Sequence, residues 1–162
     1  MSRAEQFAPL ANGVAGYWRT FGNWKRPYFS SLVGLVVEEV RTDYCRMRLP
    51  YRAELEQPAG VVHGGAIATL LDTVVVPAIG AAYRLDAIYA TVDMHIQFLS
   101  AVRKDDLVAE GWIVKRGRTA VFCEAEAVNA TTGHVAARSV LTYNVRADAA
   151  GISTDPISNV RA

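Results

Sequence analysis

The sequence predicts an α+β fold in which one long helix lies against an antiparallel sheet of about five to six strands. Three observations predict it. Ala66, Ile67, Leu70, Leu71 and Val74 recur at the spacing of one helical face. Strand-like segments flank this stretch, two ahead of it and four behind. Most of those segments are joined by short turns, and short turns make antiparallel neighbours.

The elements follow in order. Residues 1–30 mix a short helix with Gly13, Gly16, Gly22 and Pro27, and carry Phe7, Tyr17, Trp18, Phe21, Trp24, Tyr28 and Phe29. So many large aromatics are expected to pack onto the main body. Leu32–Val40 and Tyr44–Leu49 read as strands around a polar turn at Arg41–Asp43. Tyr51–Gly60, with Pro58, reads as a loop. The helix then runs from Gly64 to about Tyr83; the β-branched run Thr73–Val76 and Pro77 weaken it on propensity alone. Ile88–Leu99 alternates, with Val92, Met94, Ile96 and Phe98 on one face and Thr91, Asp93, His95 and Gln97 on the other. Asp106–Val114 and Thr119–Asn129 follow around a basic turn at Lys115–Arg118, then His134–Arg146. Residues 147–162 are small and polar and read as a loose tail. One domain is expected over 1–162, with its core at 31–146.

Composition narrows the function. The chain has 162 residues, 51% of them hydrophobic, and a net charge of +1. That balance suits a packed globular domain and supplies no global field toward nucleic acid or an anionic membrane. No uninterrupted apolar run approaches the ~18 residues of a membrane span, and no secretory signal is visible at the start, so a cytoplasmic protein is expected. Cys45 and Cys123 lack the spacing of a metal or redox pair and read as buried thiols. The three histidines lack ligand spacing, so no metal and no separate cofactor are expected, and His95 and His134 read as surface or interface residues.

Chemistry concentrates in Gln57-Pro-Ala-Gly-Val-Val-His63-Gly64-Gly65, followed on the helix by Asp72. The first N–H groups of a helix lack internal acceptors and carry the positive end of its dipole. Glycines leave those groups unshielded, so a carbonyl oxygen can be polarised there. Asp72 is a carboxylate within an apolar helical stretch, and a charge so placed needs a partner or a purpose. Nine residues separate His63 from Asp72, about 13 Å along a helix and half-way round it. One chain does not easily bring both to the same carbonyl. Two chains related by a two-fold axis can, each giving the helix start to one site and the aspartate to the other.

From about Leu32 to Val145 the chain resembles the hotdog-fold acyl-CoA thioesterases of the PaaI-like and 4-hydroxybenzoyl-CoA thioesterase type. The resemblance rests on Val62-His63-Gly64-Gly65 with Leu71-Asp72, on Thr91-Val92-Asp93-Met94-His95-Ile96-Gln97-Phe98-Leu99, and on the turn Gly117–Thr119. It implies a hotdog fold, the sheet wrapped around the helix, with the aromatic amino-terminal segment as an addition. It implies a homodimer or a dimer of dimers that hydrolyses acyl-CoA, coenzyme A being part of the substrate. Gly64 and Gly65 would donate N–H groups to the thioester oxygen. Asp72 of the partner subunit would attack the carbonyl or activate water. Gln57 would orient water or substrate, His63 would hydrogen-bond near the thioester, and Thr91 would assist the acid. The alternatives are a non-catalytic acyl-CoA-binding hotdog module and a hotdog enoyl-CoA hydratase or dehydratase. With so small a net charge, coenzyme phosphates need a local patch: Lys115, Arg116 and Arg118 at the hairpin tip, or else Arg103 and Lys104.

Overall fold

The structure, a computed structural model, describes residues 2–23, 25–83 and 87–146. A short 3-10 turn at Arg3–Gln6 precedes α1 (Asn12–Arg19) and α2 (Phe29–Val33). Next come β1 (Val36–Arg41), β2 (Tyr44–Leu49), the two-residue strands β3 (Glu56–Gln57) and β4 (Val61–Val62), and α3 (Gly64–Ala82). The chain closes with β5 (Ile88–Phe98), β6 (Leu107–Arg116), β7 (Ala120–Asn129) and β8 (Val135–Arg146). Six strands form one sheet in the order β1-β2-β6-β7-β8-β5, every pair antiparallel. This sheet wrapped on α3 is the hotdog architecture.

Helix α3 holds together through its stripe. Ile67, Leu70, Leu71, Val74, Val75, Ala78 and Ile79 are all buried against the sheet. Each large aliphatic so buried contributes on the order of 1.5–3 kcal/mol. That gain outweighs the propensity cost of the valines, and Pro77 sits inside the helix. The approach is close because β6 offers Gly111: a Cβ there would lie 2.8 Å from Val74 and Val75. With a mean hydropathy of 1.7 over an 18-residue window, α3 is long and apolar enough to cross a membrane by those measures. Here half of that window is buried within the protein.

Three expectations need correction. Leu32 and Val33 belong to α2 or its end, not to the first strand, because Gly34 in left-handed conformation (φ 84°) terminates the helix before β1 begins. Within Tyr51–Gly60, Ala53–Leu55 forms a 3-10 turn and Glu56–Gln57 pairs with Val61–Val62, so the segment is ordered by hydrogen bonds. The third concerns β5. Thr91 pairs with Tyr143 but Asp93 pairs with Thr142, so Val92 is an inserted residue, a β-bulge. One extra residue reverses the phase of alternation. Thr91 therefore shares the helix-facing side with Met94 and Ile96, which pack on the core, and not the side of His95 and Gln97.

The amino-terminal segment covers one flank. Tyr17, Trp18 and Phe21 pack on the core, with Trp18 against Gly80 of α3, and Phe7 stacks on Tyr44. Arg3 lies 3.8 Å over the Trp112 ring and bridges to Glu110 and Glu126. Tyr28 and Phe29 depart from the expectation of packing and are exposed, and Trp24 lies outside the described residues, as does the tail from 147.

Candidate active site

The loop before α3 is built to deliver its first residues. Gly60 N–H closes a turn onto the Gln57 carbonyl (2.9 Å), and His63 N–H bonds the Leu55 carbonyl (2.7 Å). His63 then caps the helix: its Nδ1 accepts from Gly65 N–H at 2.8 Å. An accepting Nδ1 puts the neutral imidazole's proton on Nε2, which becomes an outward donor. The expectation of two glycine donors is thereby divided. Gly65 N–H is taken by His63, and Ala66 and Ile67 N–H bond the His63 carbonyl. Among the described residues no partner meets the Gly64 N–H at this helix start. His63 and Gly65 are exposed beside it, and Gln57 is exposed on the short strand that pairs with Val61, in the loop leading to this end of α3.

Asp72 stands elsewhere. It is partly buried, and its Oδ1 accepts from the Thr91 hydroxyl (2.9 Å) and from the Tyr143 hydroxyl (2.6 Å). The bulge at Val92 is what turns Thr91 toward it. Tyr143, on β8, was not among the sequence candidates. Its signal was a polar-tipped residue between the inward-facing Leu141 and Val145, since a buried phenol needs a partner. Burial, then the Asp72 charge, push the Tyr143 phenol well above its usual range, so it remains a donor.

Within one chain the two groups stay apart. Gly64 lies beside Phe98, where a Cβ would be 3.4 Å from the ring, while Asp72 lies beside Thr91. Along α3 they are about 12 Å apart. The basic candidates also separate. Arg116 is committed to Asp43 through Nε (2.8 Å) and Nη2, while Lys115 and Arg118 are exposed at the tip. Tyr83 at the end of α3 donates to the Gly117 carbonyl (2.8 Å), so this tip sits at the helix's carboxyl-terminal end. Arg103 donates to the Ala59 and Gly60 carbonyls and so lies at the opposite end, beside the helix start.

Comparison with known proteins gives the chain a family. Residues 59–136 match the model of the thioesterase superfamily. The chain is 34% identical to an esterase-named protein of Halobacterium salinarum over 103 residues, 60% of this chain and 68% of that one. It is 34% identical to acyl-coenzyme A thioesterase 13 of Mus musculus over 80 residues, 49% of this chain and 56% of that one. Among solved structures, a conserved protein of Pseudomonas aeruginosa superposes with a TM-score of 0.71 at 26% identity, covering 75% of this chain and 95% of that one. The matched segment spans His63, Gly64, Asp72 and Thr91, and the chain belongs to the thioesterase superfamily.

Proposed function

We propose that the protein hydrolyses acyl-CoA thioesters to a free acid and CoA, at sites shared between two copies of the chain. The observation that carries this is the layout of β5. It is an edge strand of eleven residues, and Val92, Phe98 and Leu99 at or beside it are 66%, 55% and 53% exposed. A long open edge calls for a cover. Along the ladder with β8, where the inserted Val92 takes no place, Thr91 (opposite Tyr143, beside Asp72) and Phe98 (opposite Ala137, beside Gly64) lie equidistant from His95 (opposite Val140). A two-fold axis there, pairing β5 with its copy, would set the helix start of one chain against Asp72 of the partner subunit. The opposite edge, β1, already carries a bridge from Arg41 to Pro9.

In such a site Gly64 N–H polarises the thioester carbonyl, aided by the dipole of α3. Asp72 either attacks the carbonyl carbon, giving an acyl-aspartate anhydride that water then cleaves, or removes a proton from the water that attacks. In both routes the C–S bond breaks, CoA leaves as thiolate and takes up the proton released by water, and the acid is set free. His63 Nε2–H and Gln57 hydrogen-bond the substrate or the water, and Thr91 steadies the acid. Lys115 and Arg118, exposed and without an ion-pair partner among the described residues, supply cations for the coenzyme phosphates. The buried free thiols Cys45 and Cys123 suit the reducing cytoplasm.

The test is thiol release from a panel of aryl- and alkyl-CoA thioesters. Asp72→Asn should leave the fold and the assembly intact while lowering kcat by about 10²–10⁴, the usual scale for a positioned acid or base. A folded Asp72→Asn protein with near-normal turnover refutes the assignment.

A further inference from the structure

A carboxylate that reacts must present one oxygen in a fixed direction, and α3 alone gives Asp72 no such constraint. Two hydroxyls converge on it, and both meet the same atom, Oδ1; neither donates to Oδ2. The nearer is Tyr143, a residue 2% exposed. Its hydroxyl also lies 2.7 Å from the backbone carbonyl of Asp72. One phenolic proton thus has two acceptors, both on the same residue, and the ring is packed among the core of β8.

We propose that Tyr143 is a positioning residue: it clamps Asp72 through Oδ1 and leaves Oδ2 as the oxygen presented to the thioester or the attacking water. This rests on reading Asp72 as the reacting carboxylate. The second acceptor matters to the mechanism. When charge leaves the carboxylate in the transition state, the hydroxyl can turn to the Asp72 carbonyl and stay bonded, so no buried donor is orphaned. The residue lies beyond the segment 59–136 matched by the family model.

The other titratable groups facing α3 do not compete for this role. Cys123 on β7 is a buried thiol pushed up to about 12, first by burial, and Cys45 on β2 is raised in the same way. Tyr89 on β5 is likewise raised by burial, with Tyr17 of α1 beside it. The inward positions of β1 and β6, Val37, Val40, Ala109, Gly111 and Ile113, carry no titratable group. All these partners are neutral near pH 7, so the hydroxyls are the polar control on Asp72.

The test compares wild type, Tyr143→Phe, and a chain carrying 3,5-difluorotyrosine at position 143, a better donor of similar size. A hydrogen bond to a carboxylate favours its ionised form. In Tyr143→Phe, kcat should fall about tenfold with KM within twofold, and the acidic limb of kcat/KM should move to higher pH by up to about one unit. The fluorinated chain should move that limb the other way. A crystal structure of Tyr143→Phe should show the Asp72 carboxylate turned from its position. An unmoved limb in both variants, with only the melting temperature lowered, or an unmoved Asp72 rotamer, overturns the proposal. Should Tyr143→Phe fail to fold, the direction of the limb in the fluorinated chain decides. Should wild type release no thiol from any acyl-CoA, the hydrolase reading fails, and the Asp72 rotamer in the crystal still judges the clamp.

Discussion

Removing one half of the site from each of two chains separates a shared site from a self-contained one. Gly64 is the first residue of α3, where proline is tolerated because the N–H it lacks has no helical partner. His63 precedes it at φ −64°, ψ 137°, the extended conformation that proline demands of its neighbour. A Cβ at Gly64 would meet only the Phe98 ring, at 3.4 Å, so Gly64→Pro should fold while deleting the free amide. Loss of one such donor lowers kcat about 10²–10³-fold. Asp72→Asn deletes the other half. Mixed in equal amounts with free exchange, half of the dimers are mixed, and each mixed dimer holds one intact site of two. Activity should therefore return to about a quarter of wild type per chain, well above either variant alone. Thiol release from acyl-CoA reads the activity, and native mass spectrometry of a size-tagged chain reads the exchange. Demonstrated exchange with activity still at the level of the single variants refutes the shared site.

Other outcomes follow from the same geometry. Arg118→Ala should raise KM for acyl-CoA and flatten its rise with salt, while an acyl-pantetheine thioester does not notice the change. Arg116→Ala should instead lower the melting temperature as well, since Arg116 is paired with Asp43. Gly111→Ala should destabilise the fold by about 1–3 kcal/mol in urea titrations, because the added methyl meets Val74 and Val75; an unchanged midpoint would mean that α3 moves freely on the sheet. Glu38 is raised by burial but lowered more by the hydrogen bonds from Arg46 and Arg48, and ends below the ordinary glutamate range. Its stabilising contribution is therefore present above its unfolded pKa and lost as pH falls through the folded value. Glu38→Gln should accordingly lower the melting temperature at pH 7, and the gap should close in acid; a gap that persists there contradicts the pairing.

Much of this was legible along the chain. The stripe from Ile67 to Ile79 and the short turns between the later strands are local patterns, and they specify a helix on an antiparallel sheet. His63 before Gly64 and Gly65 marks a helix start able to meet an anion, and Asp72 stands out as a charge in an apolar stripe. These are statements of residue type and period, which neighbouring residues suffice to fix. The bulge at Val92 was not legible, because alternation continues through it and only pairing with β8 reveals the extra residue. Nor could spacing show that Gly65 gives its amide to His63, or that Arg116 is held by Asp43, 73 residues away. Tyr143 meets Asp72 across 71 residues. Local sequence sets which face of an element is apolar. Which side chains meet across the sheet is set by strand register, and register is fixed only when residues far apart in the chain pack together.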